Sequence, residues 1–175
     1  AALSKGNYFG TMLVKLGKAD ALLGGATYST ADTVRPALQL VKTKKGAHLV
    51  SSCFILVRGE EKLAMGDCAI NISYEDSVDK DGNVTLSAAQ KLAEVAIESA
   101  KTAKVFGIDP KVAMLSFSTK GSAKDAKDKT TGKSVYIIDK VVDATKIAHE
   151  KYPELKVDGE LQADAALVPS VGEFK

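Results

Sequence analysis

The chain has 175 residues, of which 45% are hydrophobic and 26% are charged, a composition typical of a soluble globular protein. Its 24 basic and 22 acidic residues leave a net charge of only +2, so no basic surface for nucleic acid is expected. No signal peptide is visible, and no apolar run reaches the roughly 18 residues that a membrane-spanning helix needs. We therefore expect a cytoplasmic protein of one domain, or of one domain and a fraction.

The first part of the chain contains two predicted helices joined by a glycine-rich segment. Apolar residues at helical spacing predict a helix over residues 3–16. Residues 19–25 are expected to form a short buried strand that ends in a glycine pair. A second helix is predicted over residues 32–43, with Asp32 as its N-cap and Pro36 in its first turn.

Two strands, at residues 49–57 and 62–71, are predicted next, joined by the tight turn RGEE. Their direct connection predicts an antiparallel hairpin. The strands contain the two cysteines of the chain, Cys53 and Cys68, which could face each other on neighbouring strands. Because both lie in hydrophobic sequence, we interpret them as reduced, buried thiols of a cytoplasmic protein.

A polar loop follows the hairpin and carries three oxygen-bearing side chains, Asp79, Asp81 and Asn83, beside Gly82. The spacing does not match a calcium-binding loop, because the glycine precedes the third ligand and no glutamate occupies the closing position. We therefore predict a solvated loop and no metal site.

The second half of the chain alternates between helix and strand patterns. A helix over residues 88–106 is predicted, with Ser87 as N-cap and Gln90 completing a capping box. The other expected elements are strands at 111–117 and 154–158 and helices at 139–151 and from about 160. Strands separated by helices predict an α/β fold, with a mainly parallel sheet, helices on both faces and the antiparallel hairpin.

The first candidate site is the segment GGATYSTADTVRPALQLV, which brings hydroxyl groups and an arginine to the start of the second helix. The hydroxyl groups belong to Thr27, Ser29 and Thr30. The planar guanidinium of Arg35 can bind a phosphate or carboxylate through two parallel hydrogen bonds. We interpret the segment as an anion site. The alternative is an ion pair between Arg35 and a nearby acid such as Asp32.

The second candidate site is the stretch MLSFSTKGSA, in which Ser118, Thr119, Lys120, Gly121 and Ser122 follow an apolar strand. In a parallel sheet, the carboxyl ends of the strands form the edge at which ligands bind. The N–H groups of a glycine-containing loop that opens a helix, helped by hydroxyl groups, can bind an anion there. The alternative is a plain helix cap with Ser118 or Thr119 capping and a solvated Lys120.

A third segment, VDGELQADAALVP, contains three acids, Asp158, Glu160 and Asp164. Paired carboxylates can bind a metal or act as acid and base, but acids at the N-terminus of the following helix are the preferred explanation. The two histidines, His48 and His149, have no partners of a catalytic triad nearby in the sequence.

The runs GGATYSTADTVRPALQLVKTKKG, VAMLSFSTKGSA and VDGELQADAALVPSV together resemble the phosphate acetyltransferase (phosphotransacetylase) family. The resemblance covers nearly all of the chain except the loops at about 72–86 and 124–137. It implies transfer of an acetyl group between acetyl phosphate and coenzyme A, with coenzyme A as a substrate and no tightly bound cofactor. It also implies a two-domain architecture like the isocitrate and isopropylmalate dehydrogenases, a cleft active site and a homodimer.

The resemblance also assigns site residues. Ser29, Thr30 and Arg35 match a segment that contacts the phosphate-bearing substrate, and residues 118–122 match a loop that lines the cleft. Family members continue to a Ser-Arg-Gly run and an aspartate that carry the catalytic work, a segment that we expect beyond Lys175. The catalytic residues of this chain are therefore unknown at this stage.

On this resemblance we expect the chain to be a portion of a longer enzyme. Residues 1–46 would be the trailing part of the first α/β domain, and residues 47–175 an incomplete second domain. The alternatives are an acyltransferase that resembles phosphate butyryltransferase, and a binding module that holds an anion without catalysis.

Overall fold

The computed structural model of the chain describes residues 2–132 and 134–174. It separates into two compact units, Ala1–Val50 and Ser51–Lys175. The assignment of residues 1–46 and 47–175 to two domains of a larger enzyme stays a prediction. Across the described ranges, every helix is too short or too polar to cross a membrane.

The first unit is a pair of helices. A 3₁₀ turn at Ala2–Ser4 precedes α1 (Gly6–Lys15) and α2 (Thr30–Leu40). Polar side chains join the helices: Asn7 Nδ2 donates to the main-chain oxygen of Asp32 at 3.2 Å, and the Tyr8 hydroxyl donates to Gln39 Oε1 at 2.6 Å. The first contact holds the N-terminal turn of α2 against α1, and the second holds its C-terminal end.

The strand predicted at residues 19–25 is wrong. These residues are irregular and almost all exposed, and Leu23 is 99% exposed. The described part of the first unit contains no strand with which the N–H and C=O groups of this segment could pair, so its backbone stays in water.

The predicted start of α2 is also wrong, because the helix begins earlier. Ser29, not Asp32, is the N-cap, and its side chain accepts a hydrogen bond from the Asp32 N–H. Serine caps as well as aspartate does, and an aspartate three residues into the helix is favoured by the helix dipole. Pro36 therefore lies in the second turn, where it is buried.

The second unit is a mixed α/β structure. Its strands are β1 (Cys53–Arg58), β2 (Glu61–Gly66), β3 (Ser77–Val78), β4 (Val84–Leu86), β5 (Lys111–Leu115) and β6 (Lys156–Leu161). Its helices are α3 (Ala88–Val105), α4 (Ile138–Lys151), α5 (Ala163–Leu167) and α6 (Pro169–Gly172). The predicted α/β class is confirmed at this level.

The strands form three separate two-stranded sheets, β1–β2, β3–β4 and β5–β6. The first two are antiparallel, as predicted for β1–β2, and the third is parallel because a helical crossover joins its strands. The parallel arrangement is therefore limited to one pair of strands in the described residues. In the polar loop after β2, Asp79, Asp81 and Asn83 are exposed as predicted, and Asp79 accepts hydrogen bonds from Asp81 and Asn83 at the turn between β3 and β4.

Both cysteines are free and half-buried, as expected for reduced thiols. Burial raises the pKa of the Cys53 thiol, and the neighbouring Cys68 raises it further. The raised pKa makes the Cys53 thiol a poorer nucleophile, because the thiolate is the reactive form.

The core of the second unit lies where α3 and α4 cover β5 and β6. Small residues such as Ala93, Ala144 and Ala148 allow the elements to pack closely around Met114 and Val157. The capping box predicted for α3 is confirmed, with hydrogen bonds in both directions between Ser87 and Gln90. This packing places the carboxyl ends of β5 and β6 side by side.

A side chain distant in sequence caps α4. Asp125 Oδ1 accepts hydrogen bonds from the N–H groups of Ile137 (2.9 Å) and Ile138 (2.8 Å), and Oδ2 accepts one from Asp139 (2.9 Å). Burial alone would raise the pKa of Asp125, but these hydrogen bonds together lower it below its ordinary value of 3.8. The ionised carboxylate therefore stabilises the folded chain.

We expect Asp125→Asn to lower the free energy of unfolding by about 1 kcal/mol near neutral pH, because an amide keeps only one acceptor oxygen. The folded pKa of Asp125 is below the unfolded one, so its contribution is complete above pH 3.8 and is lost as the pH falls through the folded pKa. Urea denaturation of both proteins near neutral pH and at progressively lower pH measures the difference.

The control for this prediction is the same change at Asp20, whose carboxylate accepts no hydrogen bond from any described residue. Asp20→Asn should leave stability nearly unchanged. An equal loss at both positions, or a loss at Asp125 that does not shrink in acid, would contradict the role of the carboxylate.

Candidate functional site

The first candidate site lies at the N-terminus of α2. Ser29 Oγ accepts from the Asp32 N–H (3.1 Å) and donates to the Asp32 carboxylate (2.7 Å), which fixes the first turn. Within residues 2–132 and 134–174, the N–H groups of Thr30 and Ala31 have no acceptor. Free N–H groups at the positive end of a helix favour an anion.

Arg35 lies on the same face of α2 as Ala31, four residues earlier, and helical side chains lean toward the N-terminus. Its side chain is exposed and has no ion pair or hydrogen bond with any other described residue. The alternative ion pair with Asp32 does not form, since the Asp32 carboxylate accepts from Ser29 instead. The hydroxyl-bearing residues Thr27 and Thr30 are also exposed. The guanidinium can therefore reach an anion held at the helix start.

The second candidate site, the loop Ser118–Ser122, follows β5 at the end of the parallel pair. No helix opens there, because the next helix of the described residues begins at Ile138. Lys120 and Gly121 have φ values of +47° and +83°, and a right-handed helix cannot continue through two left-handed residues. The predicted loop that opens a helix and its alternative, the plain helix cap, are therefore both wrong.

Each backbone N–H group of the Ser118–Ser122 loop already has an acceptor within the protein. In chain order the acceptors are Ser116 Oγ, Ser122 Oγ, the Glu160 main-chain oxygen, Glu160 Oε1 and the Thr119 main-chain oxygen, at 2.6–3.2 Å. The hydrogen-bonding capacity of the backbone is thus used to shape the loop.

The carboxylate of Glu160 occupies the centre of this loop. Glu160 is 4% exposed, and its Oε1 accepts hydrogen bonds from the Gly121 N–H (2.6 Å) and from the Oγ of the fully buried Ser118 (3.0 Å). Burial alone would raise the pKa of Glu160, but these hydrogen bonds and the charge of Lys120 lower it below its ordinary value. Glu160 belongs to β6, so its prediction as a helix cap is wrong. The anion in the loop is the protein's own carboxylate.

Lys120 forms an ion pair with Asp158 and also donates to the Gly159 main-chain oxygen at 3.1 Å. Asp158 lies on β6 and does not cap a helix, which corrects that prediction too. Burial would raise the pKa of Asp158, but the hydrogen bonds from Lys120 and Gly159 lower it. An ammonium group has three protons, so one Lys120 donor stays available to a ligand. The exposed Ser122 hydroxyl accepts from the Thr119 N–H (2.9 Å) and lies 3.5 Å from Ser118 Oγ.

The third predicted acid, Asp164, is separate from the other two, because its Oδ1 accepts from the adjacent Ala165 N–H in α5. The described residues contain no cluster of three histidine, cysteine or acidic side chains that could hold a metal ion. Gln162, which sequence reasoning missed, donates its N–H to Thr119 Oγ1 at 2.9 Å. Gln162 directly follows β6 and lies beyond the strand predicted at 154–158, so no local signal in the sequence marks it.

Known proteins resemble this chain closely. The family model described as phosphate acetyl/butaryl transferase matches residues 1–175. Phosphate acetyltransferase of Bacillus subtilis is 57% identical over 174 residues, which make up 99% of this chain and 47% of the relative. Phosphate acetyltransferase of Staphylococcus aureus strain Mu50 is 51% identical over 177 residues, with coverage of 99% and 47%.

Two solved structures share the fold. The EutD phosphotransacetylase from Staphylococcus aureus has a TM-score of 0.73 at 50% identity, covering 97% of this chain and 46% of that one. A phosphotransacetylase from Streptococcus pyogenes has a TM-score of 0.73 at 48% identity, covering 97% and 45%. The chain thus spans about half the length of the relatives it matches. With a family model that matches every residue, the chain belongs to the phosphate acetyl/butaryl transferase family.

Proposed function

We propose that these 175 residues form part of a longer phosphate acetyltransferase, to which they contribute groups that bind the phosphate end of acetyl phosphate. The observation that carries this proposal is the N-terminus of α2, where two free N–H groups lie on the same helix as an unpaired arginine. Curated relatives of the chain are named phosphate acetyltransferase, which supports the choice of acetyl phosphate and coenzyme A as substrates.

In the proposed reaction the thiolate of coenzyme A attacks the carbonyl carbon of acetyl phosphate. A new S–C bond forms, and the bond between the carbonyl carbon and the bridging oxygen breaks. Orthophosphate leaves with the electrons of that bond. Cations and N–H donors stabilise the negative charge that develops on the carbonyl oxygen and on the leaving group. The free N–H groups of Thr30 and Ala31, the Thr30 hydroxyl group and the Arg35 guanidinium suit this task.

A base must also accept the thiol proton, because the neutral thiol is a poor nucleophile. Asp158 and Glu160 are the acids nearest the second candidate site, but their hydrogen bonds lower both pKa values, which makes each carboxylate a weak base. We therefore propose that the base lies outside the described residues.

We expect the complete protein to produce acetyl-CoA from acetyl phosphate and coenzyme A, and the isolated 175-residue chain to show no turnover. The thioester absorbance of acetyl-CoA, followed with both proteins at matched concentrations, measures this. Robust turnover by the isolated chain would place the base within these residues. Lack of activity in the complete protein would remove the proposed function.

The second candidate function is butyryl transfer, which the family description includes. The names of the curated relatives favour acetyl transfer. The ratio of kcat/KM for acetyl phosphate to that for butyryl phosphate separates the two, and a ratio below one would favour the butyryl enzyme.

We also propose for the complete protein the architecture of the isocitrate and isopropylmalate dehydrogenases, supported by the TM-scores of 0.73 with two phosphotransacetylases.

The two free thiols support a cytoplasmic location. Orthophosphate and coenzyme A are the proposed ligands, and no tightly bound cofactor takes part in the proposed chemistry.

A homodimer is proposed as well, with the outer face of the β1–β2 hairpin as its interface. Cross-strand pairs Phe54–Met65 and Leu56–Leu63 lie on this face, and their side chains are 40–58% exposed. Contiguous exposed apolar side chains mark interaction surfaces in soluble proteins. A second copy of the protein would cover them.

On this proposal, Leu56→Lys should convert the complete protein from a dimer to a monomer, because a charge buried in an apolar interface is left without a partner. Light scattering after size-exclusion chromatography gives the mass. The matched control is Val84→Lys, at an exposed valine of β4 that lies outside the hairpin face. A dimer that persists in Leu56→Lys would exclude this face as the interface.

A further inference from the structure

The end of β6 contacts the Ser118–Ser122 loop at several successive positions. Asp158 pairs with Lys120, the Glu160 main-chain oxygen accepts from the Lys120 N–H (3.2 Å), and the Glu160 carboxylate accepts from Gly121 and Ser118. Gln162, just after β6, also contacts the loop, because its N–H donates to Thr119 Oγ1. The loop therefore takes its shape from β6.

Glu160 is the centre of these contacts. It is the one member of the group that supplies both a side-chain and a main-chain acceptor to the loop, and its carboxylate is almost completely buried. The two groups that donate to its carboxylate, the Ser118 hydroxyl and the Gly121 N–H, lie on either side of Lys120 in the chain. Glu160 therefore fixes the Lys120 backbone through Lys120 itself and through the residues Ser118 and Gly121 before and after it.

Two groups of the loop are exposed, the Lys120 ammonium, which has a proton to spare, and the Ser122 hydroxyl, which lies 3.5 Å from Ser118 Oγ. Both are suited to phosphoryl oxygens. They flank Gly121, whose N–H donates to Glu160 at 2.6 Å. A shift of Gly121 would move both donors together.

We propose that Glu160 is a positioning residue, which holds Lys120 and Ser122 in place to bind the phosphoryl oxygens of acetyl phosphate or orthophosphate. This inference rests on the proposed function and concerns groups of the second unit alone. Glu160 itself does not touch the substrate. It acts through the loop, as a fixed internal anion around which the loop's donors are arranged.

The test is Glu160→Gln in the complete protein, a change that keeps the shape of the side chain and removes its charge. We expect KM for acetyl phosphate, and KM for orthophosphate in the reverse direction, to rise by about 10-fold, because hydrogen bonds to a neutral acceptor are weaker than those to a carboxylate. KM for coenzyme A should not change. A general structural defect would alter KM for both substrates or lower kcat alone.

The matched control is Glu154→Gln, the same substitution at an exposed glutamate that precedes β6. It should leave all kinetic constants at their wild-type values. If Glu160→Gln fails to fold by circular dichroism, Ser118→Ala removes one of the two hydrogen bonds to the Glu160 carboxylate and keeps its charge. That variant should raise the same KM values by a smaller factor.

A second readout does not depend on activity. Amide resonances of Lys120, Gly121 and Ser122 in the 175-residue chain should shift on titration with orthophosphate, and the shifts should weaken in Glu160→Gln. If the complete protein lacks acetyl transfer but the loop responds to phosphate in this way, the proposed function fails and the role of Glu160 stands. Equal responses in wild type and variant, or an unchanged KM for acetyl phosphate in an active enzyme, would overturn the role of Glu160.

Discussion

Arg35→Ala in the complete protein should reduce kcat/KM for acetyl phosphate by about 10- to 150-fold. Loss of a hydrogen bond to a charged group costs roughly 1.5–3 kcal/mol, and each 1.4 kcal/mol corresponds to a factor of ten. Arg35 is exposed and unpaired among the described residues, so its removal breaks no ion pair within the protein. The loss of activity therefore reports directly on the contact with the substrate.

Arg35→Lys separates charge from geometry. Lysine keeps the positive charge but lacks the planar fork that binds two oxygens at once, so its kcat/KM should lie between those of wild type and Arg35→Ala. Arg58→Ala is the control, because Arg58 is also an exposed arginine, but it pairs with Glu61 across a hairpin turn. Wild-type kinetics for Arg35→Ala would remove this residue from the site.

Gly159→Ala should lower the free energy of unfolding by about 1–3 kcal/mol, the usual effect of overpacking. A Cβ atom at Gly159 would lie 2.6 Å from Met114 Cβ and 3.0 Å from the Met114 main-chain oxygen. It would also lie 2.8 Å from Thr145 Oγ1. Because two of these atoms belong to or adjoin the backbone of β5, the parallel pair must separate to make room. The midpoint of urea denaturation of the chain measures the loss.

Gly6→Ala is the matched control. Its new Cβ would meet only the Tyr28 hydroxyl at 3.7 Å, an ordinary contact. Gly6 is the first residue of α1, and alanine at a compatible helical position stabilises a protein by about 0.4–1 kcal/mol. Similar midpoints for the two variants would show that the space around Gly159 can relax.

The elements that the sequence predicts well are those whose signals are local. The capping box at Ser87 and Gln90 fixes the start of α3 through atoms three residues apart, and Gly107 follows its end with a φ of +75°. The β1–β2 hairpin is equally local, since four residues make its turn. Hydrophobic pattern and cap chemistry suffice in these cases.

The sequence is less informative about features that depend on a distant partner. Residues 19–25 have a strand-like composition, but a strand needs a neighbour to satisfy its N–H and C=O groups. The cap of α4 comes from Asp125, 12 residues before the first N–H that it accepts from, beyond the reach of any local pattern. The limits of β5 and β6 are also set by their pairing with each other.

The candidate site divides in the same way. The cluster of hydroxyl groups and Arg35 at the start of α2 is readable from the sequence, because all of its members lie within one helical turn or two. The anion at the Ser118–Ser122 loop is not, since Glu160 is 39 residues from its closest donor, the Gly121 N–H. The sequence predicts a loop suited to an anion, and only the fold identifies which anion fills it.

Because the Glu160 carboxylate is part of the chain, hydrogen bonds within the protein hold the Ser118–Ser122 loop, and on the proposed role the loop needs no ligand to keep its shape. A loop whose donors converged on the substrate alone would repel itself or fill with water between turnovers, and each binding event would have to reorder it. The loop is instead ordered when the chain folds, so that ordering the loop does not reduce the free energy of binding a small ligand.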